Sequence, residues 1–512
     1  MSAAVDSPRM LPADELSPLA VRELSILGGC LLVLLTVRLG RYPLWGDELY
    51  MVPAGRRLAW SYADQGPVVP LQAYLSDLVA PGSAVALRLP VVALTVATVV
   101  LAALIARELG GGRAAQIVAA LGYTCTPFAV QQSAALSTFA YDAALTSLVC
   151  WLLIRWVRTR HDVLLIVAGL ASAVDFQVKW LVVGVWALLG IGVLMWGPRE
   201  VLRRPALWAG VALIGLSTIP ALVWQARHGW PQIAMGTAIQ AEQTTMVDGR
   251  FASAARELVL TTGPGGILLL IGIWAVWRVR TMRFLLPLGV VPLLAVLVGG
   301  LRPYYLGSGF AIFFATAAVL LVGDGLHGRV GKALTAYFAA GAVVVVTAVC
   351  VLPLPQSLLH GPAIRNGDMA IRAQFFGLRG WSQLVGTVAG AVTSLPADER
   401  EGIIIVTQNY WQASALDVYR PDLPPVYSAS RGYGYFGPPP DTATRVLYIG
   451  GDDLSEELPT RFAHVTAVAS LDDPKGFQGV NYGIRVWYCS DPVRPWSRTW
   501  PGLMTLRIED GG

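Results

Sequence analysis

Runs of mostly apolar residues recur along the first 354 positions, near 22–40, 84–106, 114–131, 140–157, 162–176, 178–196, 206–225, 257–277, 284–301, 303–322 and 333–353. A helix needs about 20 such residues to cross a bilayer. The pattern therefore predicts an α-helical polytopic membrane protein with ~11 transmembrane helices. The pair 162–176 and 178–196 is the weakest part of that count, because the first is short for a span. Composition agrees: 55% of the 512 residues are hydrophobic and 14% are charged, against about 25% charged in a soluble domain. The net charge of +5 comes almost wholly from Arg, with Lys only at Lys179, Lys332 and Lys475. No basic block or interleaved aromatic stripe points to nucleic acid.

Charge tests the helix count independently, since cytoplasmic loops collect Arg and Lys. Arg107 and Arg113, then Arg155, Arg158 and Arg160, then Arg199, Arg203 and Arg204, then Arg278, Arg280 and Arg283, then Arg329 and Lys332 all fall on one side of the assignment. The other side receives residues 41–83, 132–139, 226–256 and everything after about 354. This places the N-terminus in the cytoplasm and the C-terminal region outside it, in a multi-pass plasma-membrane protein. The first twenty residues are polar and acidic, without the basic start and cleavage site of a signal peptide, so the first apolar run is expected to remain as a helix.

Two parts are not membrane helices. The loop 41–83 carries apolar positions at helical spacing over 47–60 and 68–79, among them Leu71, Tyr74, Leu75, Leu78 and Val79. Short helices lying in the interface are expected there. Beyond 354, β-type runs at 403–407, 446–449, 465–468 and 484–488 alternate with helical ones at 382–394 and 411–419, which reads as a compact α/β domain. Two domains follow: 1–354 in the membrane and 355–512 outside the cytoplasm. The stretch Gly432-Tyr-Gly-Tyr-Phe-Gly-Pro-Pro-Pro440 is a loop, since these residues break both helix and strand. Four of the five cysteines (Cys30, Cys125, Cys150, Cys350) sit in apolar runs as small hydrophobes. Cys489 stands alone, so the tail has no disulfide of its own, and no Cys/His spacing suggests zinc.

The polar residues follow a recognisable order. Trp45-Gly-Asp-Glu48 comes after the first helix and Tyr62-Ala-Asp-Gln-Gly-Pro67 follows it. Ala86-Leu-Arg-Leu-Pro90 opens the second helix and Val178-Lys-Trp180 a later one. Trp224-Gln-Ala-Arg-His-Gly-Trp230 ends the seventh, and Arg302-Pro-Tyr-Tyr305 opens the tenth. In this order the chain resembles bacterial glycosyltransferase family 39-like enzymes, the group that contains protein O-mannosyltransferases and the lipid A aminoarabinose transferase. The likeness covers most of the chain, including Thr407-Gln-Asn-Tyr410 and the Gly-Pro-Pro-Pro turn of the tail. It implies a GT-C fold, a polyprenyl-phosphate sugar donor, inversion at the anomeric carbon, and an acceptor in the envelope, whether lipid, glycan or protein.

Chemistry gives those residues roles. A sugar hydroxyl is a poor nucleophile and needs a carboxylate within hydrogen-bond reach; Asp47 matches the family's catalytic acid. Glu48 follows it and points about 100° away on a helix, where it supports the loop or a divalent metal beside Asp47. Asp64 matches the second acidic position, placed to orient the acceptor or to assist Asp47. The leaving lipid phosphate carries developing negative charge that preorganised cations must meet. Lys179 and Arg302 match basic positions of the family, which often has Lys where Arg302 stands. Tyr304 and Tyr305 could bond the phosphate or line the lipid groove. Arg88, Asp142 and His228 are secondary candidates, Asp142 within the polar segment 131–142. The family's commoner Asp-His-Pro-Pro reads here Asp64-Gln-Gly-Pro67. The chain thus lacks a His that could bind metal or acceptor, and no cofactor is firmly implied.

Plainer readings exist for each residue. Acids favour the first turn of a helix; Lys179 and Arg302 could snorkel; Tyr304 and Tyr305 could belong to an aromatic belt; His228 could cap a helix, and Trp411 could be domain core. Two other functions use the same features: a secondary transporter, and an inactive glycan-binding assembly protein. Transporters concentrate polar groups near the bilayer midplane in repeated halves, whereas here the charges sit at the helix ends and the halves differ.

Overall fold

The structure is a computed structural model that describes residues 16–245, 250–298, 301–323, 329–351, 355–364, 372 and 376–507. The expected boundary at 354 and both chain termini lie outside the described residues. The chain divides into two compact units, one of residues 1–39, 88–221 and 247–351, the other of 40–87, 222–246 and 352–512.

The first unit is helical. Among the described residues, six helices are long and apolar enough to cross a membrane: 84–108, 138–159, 205–227, 254–278, 280–297 and 303–322. Helices also occupy the other apolar runs, including Val21–Leu39 and Arg329–Val351. The two runs that were short on sequence stay short. Val163–Phe176 has 14 residues and Leu181–Trp196 has 16, or about 21 and 24 Å of helix against a hydrocarbon core of about 30 Å.

Glycines let these helices approach. A Cβ on Gly272 would run into the backbone of Phe313, one on Gly192 into the backbone of Phe284, and one on Gly169 into Gly210. Small residues at such crossings allow the van der Waals packing that drives helix association where no hydrophobic effect operates. Phe310, Phe313 and Phe314 fill the centre, all fully buried. Ion pairs gather at one end of the bundle. Glu108, 1% exposed, pairs with Arg158 at 2.7 Å and Arg155 at 3.5 Å. Asp162 accepts from Trp156 Nε1 at 3.0 Å and faces Arg204 at 3.6 Å, while Arg160 faces Glu200 at 3.8 Å. The loops 107–113, 155–162 and 199–204 thus meet, with Glu108, Asp162 and Glu200 set between their arginines. Residues 139–142 lie at the other end of the same 22-residue helix, Thr138–Thr159, about 33 Å long.

The second unit holds the long first loop, the segment after Leu222 and the α/β tail. Gln225 Nε2 donates to Ser61 Oγ and to the Tyr62 carbonyl, both at 2.9 Å, and Gln232 Nε2 to the Gln65 carbonyl at 3.0 Å. Trp381 Nε1 donates to the Leu44 carbonyl at 2.9 Å, fully buried. The loop contains helices Gly46–Arg56 and Val68–Val79, and the second leaves Leu71, Leu75, Leu78 and Val79 exposed. In the tail a five-stranded sheet forms from β1 (Ile404–Thr407), β2 (Val426–Ser428), β3 (Arg445–Gly451), β4 (Phe462–Leu471) and β5 (Ile484–Pro492). Its order is β2-β1-β3-β5-β4; β1 runs parallel to β2 and β3, and β5 antiparallel to β3 and β4. The helices Trp381–Ser394 and Tyr410–Tyr419 belong to this body.

The crossing at Gly272 yields a stability test. Gly272→Val should cost ~1–3 kcal/mol or more by overpacking and lower the thermal midpoint of the detergent-purified protein. Gly215→Val, at a glycine with open space around it, should leave that midpoint within error.

Candidate active site

Helix Gly46–Arg56 begins at Trp45, whose backbone N–H donates to Glu48 Oε2 at 2.8 Å. Glu48 is fully buried and satisfies one of the orphan donors that every helix start leaves. It is thus engaged in holding the turn that presents Asp47. Asp47, one position earlier, stays exposed. Its Oδ1 accepts from Tyr410 Oη at 2.5 Å and Trp411 Nε1 at 2.9 Å.

Gly46 makes this possible, because a Cβ there would collide with the Trp411 ring. Trp411 instead lies edge-on to Trp45, centroids 5.3 Å apart. Tyr410 and Trp411 open helix Tyr410–Tyr419, where the Asn409 side chain caps Trp411 N at 2.8 Å. Burial, then the Asp47 charge, pushes the Tyr410 hydroxyl well above its ordinary pKa. It therefore remains a proton-bearing donor at neutral pH. Both donors converge on Oδ1, and Oδ2 has no hydrogen bond among the described residues. One oxygen is oriented and the other is open for a proton.

Tyr50, one turn along, is buried and packs on Tyr410 at 5.7 Å and Phe436 at 5.9 Å. Its hydroxyl is also raised well above the ordinary value, by burial first and then by Asp64, Tyr62 and Asp47. Asp64 acts on Tyr410 as well. Two carboxylates that both act on these two hydroxyls occupy one neighbourhood. His228 lies elsewhere in the same unit: it stacks on Trp224 at 4.0 Å and its Nδ1 is 2.7 Å from the Trp224 carbonyl.

The helical unit gathers the cations. Lys179 Nζ sits 4.9 Å over the Phe139 ring, and Arg302 lies 5.9 Å over Tyr304 and donates to its hydroxyl at 3.3 Å. Phe139 packs on Tyr304 at 4.5 Å and on Tyr305 at 5.7 Å. Cation–π contact holds a charge by the ring face and leaves the ammonium protons of Lys179 available to an anion. Lys179 also lies within electrostatic reach of Asp142, which is 2% exposed and accepts from Ser308 Oγ. Asp175, fully buried, neighbours Asp142 and takes a long bond of 3.5 Å from Thr146. Arg88 is buried as well, with Nη1 donating to the Leu39 carbonyl at 2.7 Å; this contact ties two helices.

Sequence reasoning missed Tyr410 and Trp411 as partners of Asp47, Phe139 as the platform for Lys179, and Asp175 altogether. Trp411 is domain core, as read, at 8% exposed, yet its indole N–H serves the carboxylate. The signal that could have found it is the Thr407-Gln-Asn-Tyr410 match in the tail. As for metals, no group of three or more His, Cys, Asp or Glu among the described residues could share an ion.

Residues 64–224 match the family model for dolichyl-phosphate-mannose-protein mannosyltransferase, a span that includes Asp64, Arg88, Asp142 and Lys179. No curated protein sequence matches the chain. Solved structures do. The ArnT structure from Cupriavidus metallidurans in the apo state has a TM-score of 0.59 at 11% identity, covering 92% of this chain and 98% of that one. The same protein bound to undecaprenyl phosphate gives 0.58 at 13% identity with the same coverage. The Archaeoglobus fulgidus oligosaccharyltransferase, in complex with Zn and sulfate, gives 0.49 at 12%, covering 83% and 67%. The likeness to the ArnT structures shows a GT-C membrane fold for this chain, and the mannosyltransferase family match covers residues 64–224 of it.

Proposed function

We propose that the protein moves a sugar from a polyprenyl-phosphate donor to a cell-envelope acceptor on the extracytoplasmic face, with inversion at the anomeric carbon. The observation that carries this reading is the carboxylate of Asp47, fixed through Oδ1 and open at Oδ2. An acceptor hydroxyl attacks the anomeric carbon while Oδ2 takes its proton. The bond from that carbon to the phosphate oxygen breaks, and the lipid phosphate leaves with the electron pair. Lys179 and Arg302 meet the charge that develops on it. Asp64 orients the acceptor, and Tyr410 and Trp411 are positioning residues that hold Asp47. The donor class is supported by the family description and by the ArnT structure with undecaprenyl phosphate.

The base is tested with purified enzyme and radiolabelled polyprenyl-phosphate sugar, with donor binding and transfer measured separately. Asp47→Asn should lower turnover by about 10²-fold or more while donor binding persists. Tyr410→Phe should lower kcat by roughly tenfold, the scale of one hydrogen bond to a charged group, with donor KM unchanged. Wild-type transfer by Asp47→Asn would move the base elsewhere. For the phosphate, Lys179→Ala and Arg302→Ala should each lose ~2–4 kcal/mol of transition-state stabilisation, and Arg302→Lys less. Unchanged activity in both Ala variants would leave these side chains as interfacial anchors.

Sidedness is part of the proposal, with the N-terminus in the cytoplasm and the α/β tail outside. A reporter active only outside the cytoplasm should work when fused after Gly512, a position outside the described residues. The same reporter should be silent at Arg160. The opposite result would put Asp47 on the wrong face for a lipid-linked donor.

A further inference from the structure

Two helices lead away from Asp47 within the second unit, and both end at the same cavity. Helix Gly46–Arg56 carries Asp47 at its start, and Arg57 is its C-terminal cap. Helix Tyr410–Tyr419 carries Tyr410 and Trp411 at its start and Asp417 near its end. At 1.5 Å per residue the cavity lies about 10–15 Å from the carboxylate along either helix. It has a volume of about 370 Å³ and is lined by Arg57, Asp417 and Arg420, by Tyr427 and Phe436, and by a wall of prolines that includes Pro424 and Pro438. That size lies within the range of small-ligand sites.

Its chemistry narrows the ligand. Asp417 is braced from three directions: Arg57 at 2.8 Å, Arg56 at 3.4 Å and the Tyr433 hydroxyl at 3.0 Å. Arg420 pairs with Asp422 at 2.6 Å, and Arg56 also with Asp77 at 2.9 Å. Each guanidinium thus has a carboxylate beside it, so no surplus positive charge waits for a phosphate. What remains is a rigid set of planar donors and acceptors. A carboxylate only accepts and a guanidinium only donates, and vicinal hydroxyls do both. Tyr427, partly exposed in the wall, offers a ring against which the C–H face of a sugar can lie. Prolines fix the wall before anything binds, so little ordering is lost on association.

We infer that this cavity is a subsite for an uncharged saccharide unit of the acceptor, placed along the glycan from the hydroxyl that reaches Asp47. The inference rests on the proposed transfer reaction and names its acceptor class: a glycan chain longer than one residue. The cavity and Asp47 then act as two contacts on one chain, and the second contact gains from the first having been made.

The test uses the full-length enzyme in detergent with manno-, galacto-, arabino- and gluco-oligosaccharides of one to four residues. Saturation-transfer NMR measures binding without turnover. At least one series should bind saturably and more tightly with length. Tyr427→Ala and Arg420→Ala should each raise Kd for the longest member by roughly tenfold, and Lys475→Ala should not. In transfer assays both variants should raise KM for long acceptors and keep kcat. Binding of none of the four series, or variants that bind like wild type with unchanged thermal midpoints, overturns the subsite. So does displacement by a proline-rich peptide with no sugar binding. If sugars bind and the variants lose them but no transfer from a polyprenyl-phosphate donor occurs, the proposed reaction falls and the saccharide subsite stands.

Discussion

The Trp411 indole rests where a Cβ on Gly46 would be, and this contact decides where the Asp47 carboxylate stands. A free aspartate at a helix start samples several rotamers. Here two donors fix one of its oxygens, and burial keeps the stronger donor, Tyr410, protonated. The partners are 363 and 364 positions apart in sequence. The first loop therefore provides the carboxylate and the tail provides its orientation, so neither segment alone builds the fixed group. Tyr50, Phe436 and the loop around Gly432 pack around the same pair, and the position of Gly432 under the Tyr50 hydroxyl has no room for a side chain.

The helical unit meets a different physical problem. Cations near a bilayer need something to hold them in place. Aromatic rings supply that. Phe139 holds the Lys179 ammonium by its ring face, and Tyr304 lies under the Arg302 guanidinium and accepts from it. The buried acid Asp142 lies within electrostatic reach of Lys179, and Asp175 neighbours Asp142.

Local pattern carried much of this architecture. Apolar runs of the right length became helices; the expected helix at 68–79 has its observed ends, and the strands at 446–449 and 484–488 stand within four residues of theirs. β2 escaped notice because Val426–Ser428 is three residues long behind two prolines, too short for alternation to register. In the site, residue type and order pointed to Asp47, Lys179 and Arg302. What they could not convey were the contacts. The resemblance already gave Asp47 and Glu48 different roles; the closed turn shows Glu48 buried on the Trp45 amide and Asp47 left outside. Likewise Tyr410 and Trp411 are ordinary core aromatics until a non-local contact turns their polar atoms toward a carboxylate.

Glu108 has a role that changes with time. While a polytopic chain is being inserted, Arg and Lys near the helix ends set its orientation and acidic residues count for little. Arg155 and Arg158 therefore act as two full cations at that stage. Once the bundle closes, Glu108 lies buried between them, and Arg158 itself is only 6% exposed. The folded bundle presents a weaker positive surface at this end than the extended chain does. The same arginines brace the bundle through Glu108, so neutralising one of them should have two separable effects, on topology and on packing.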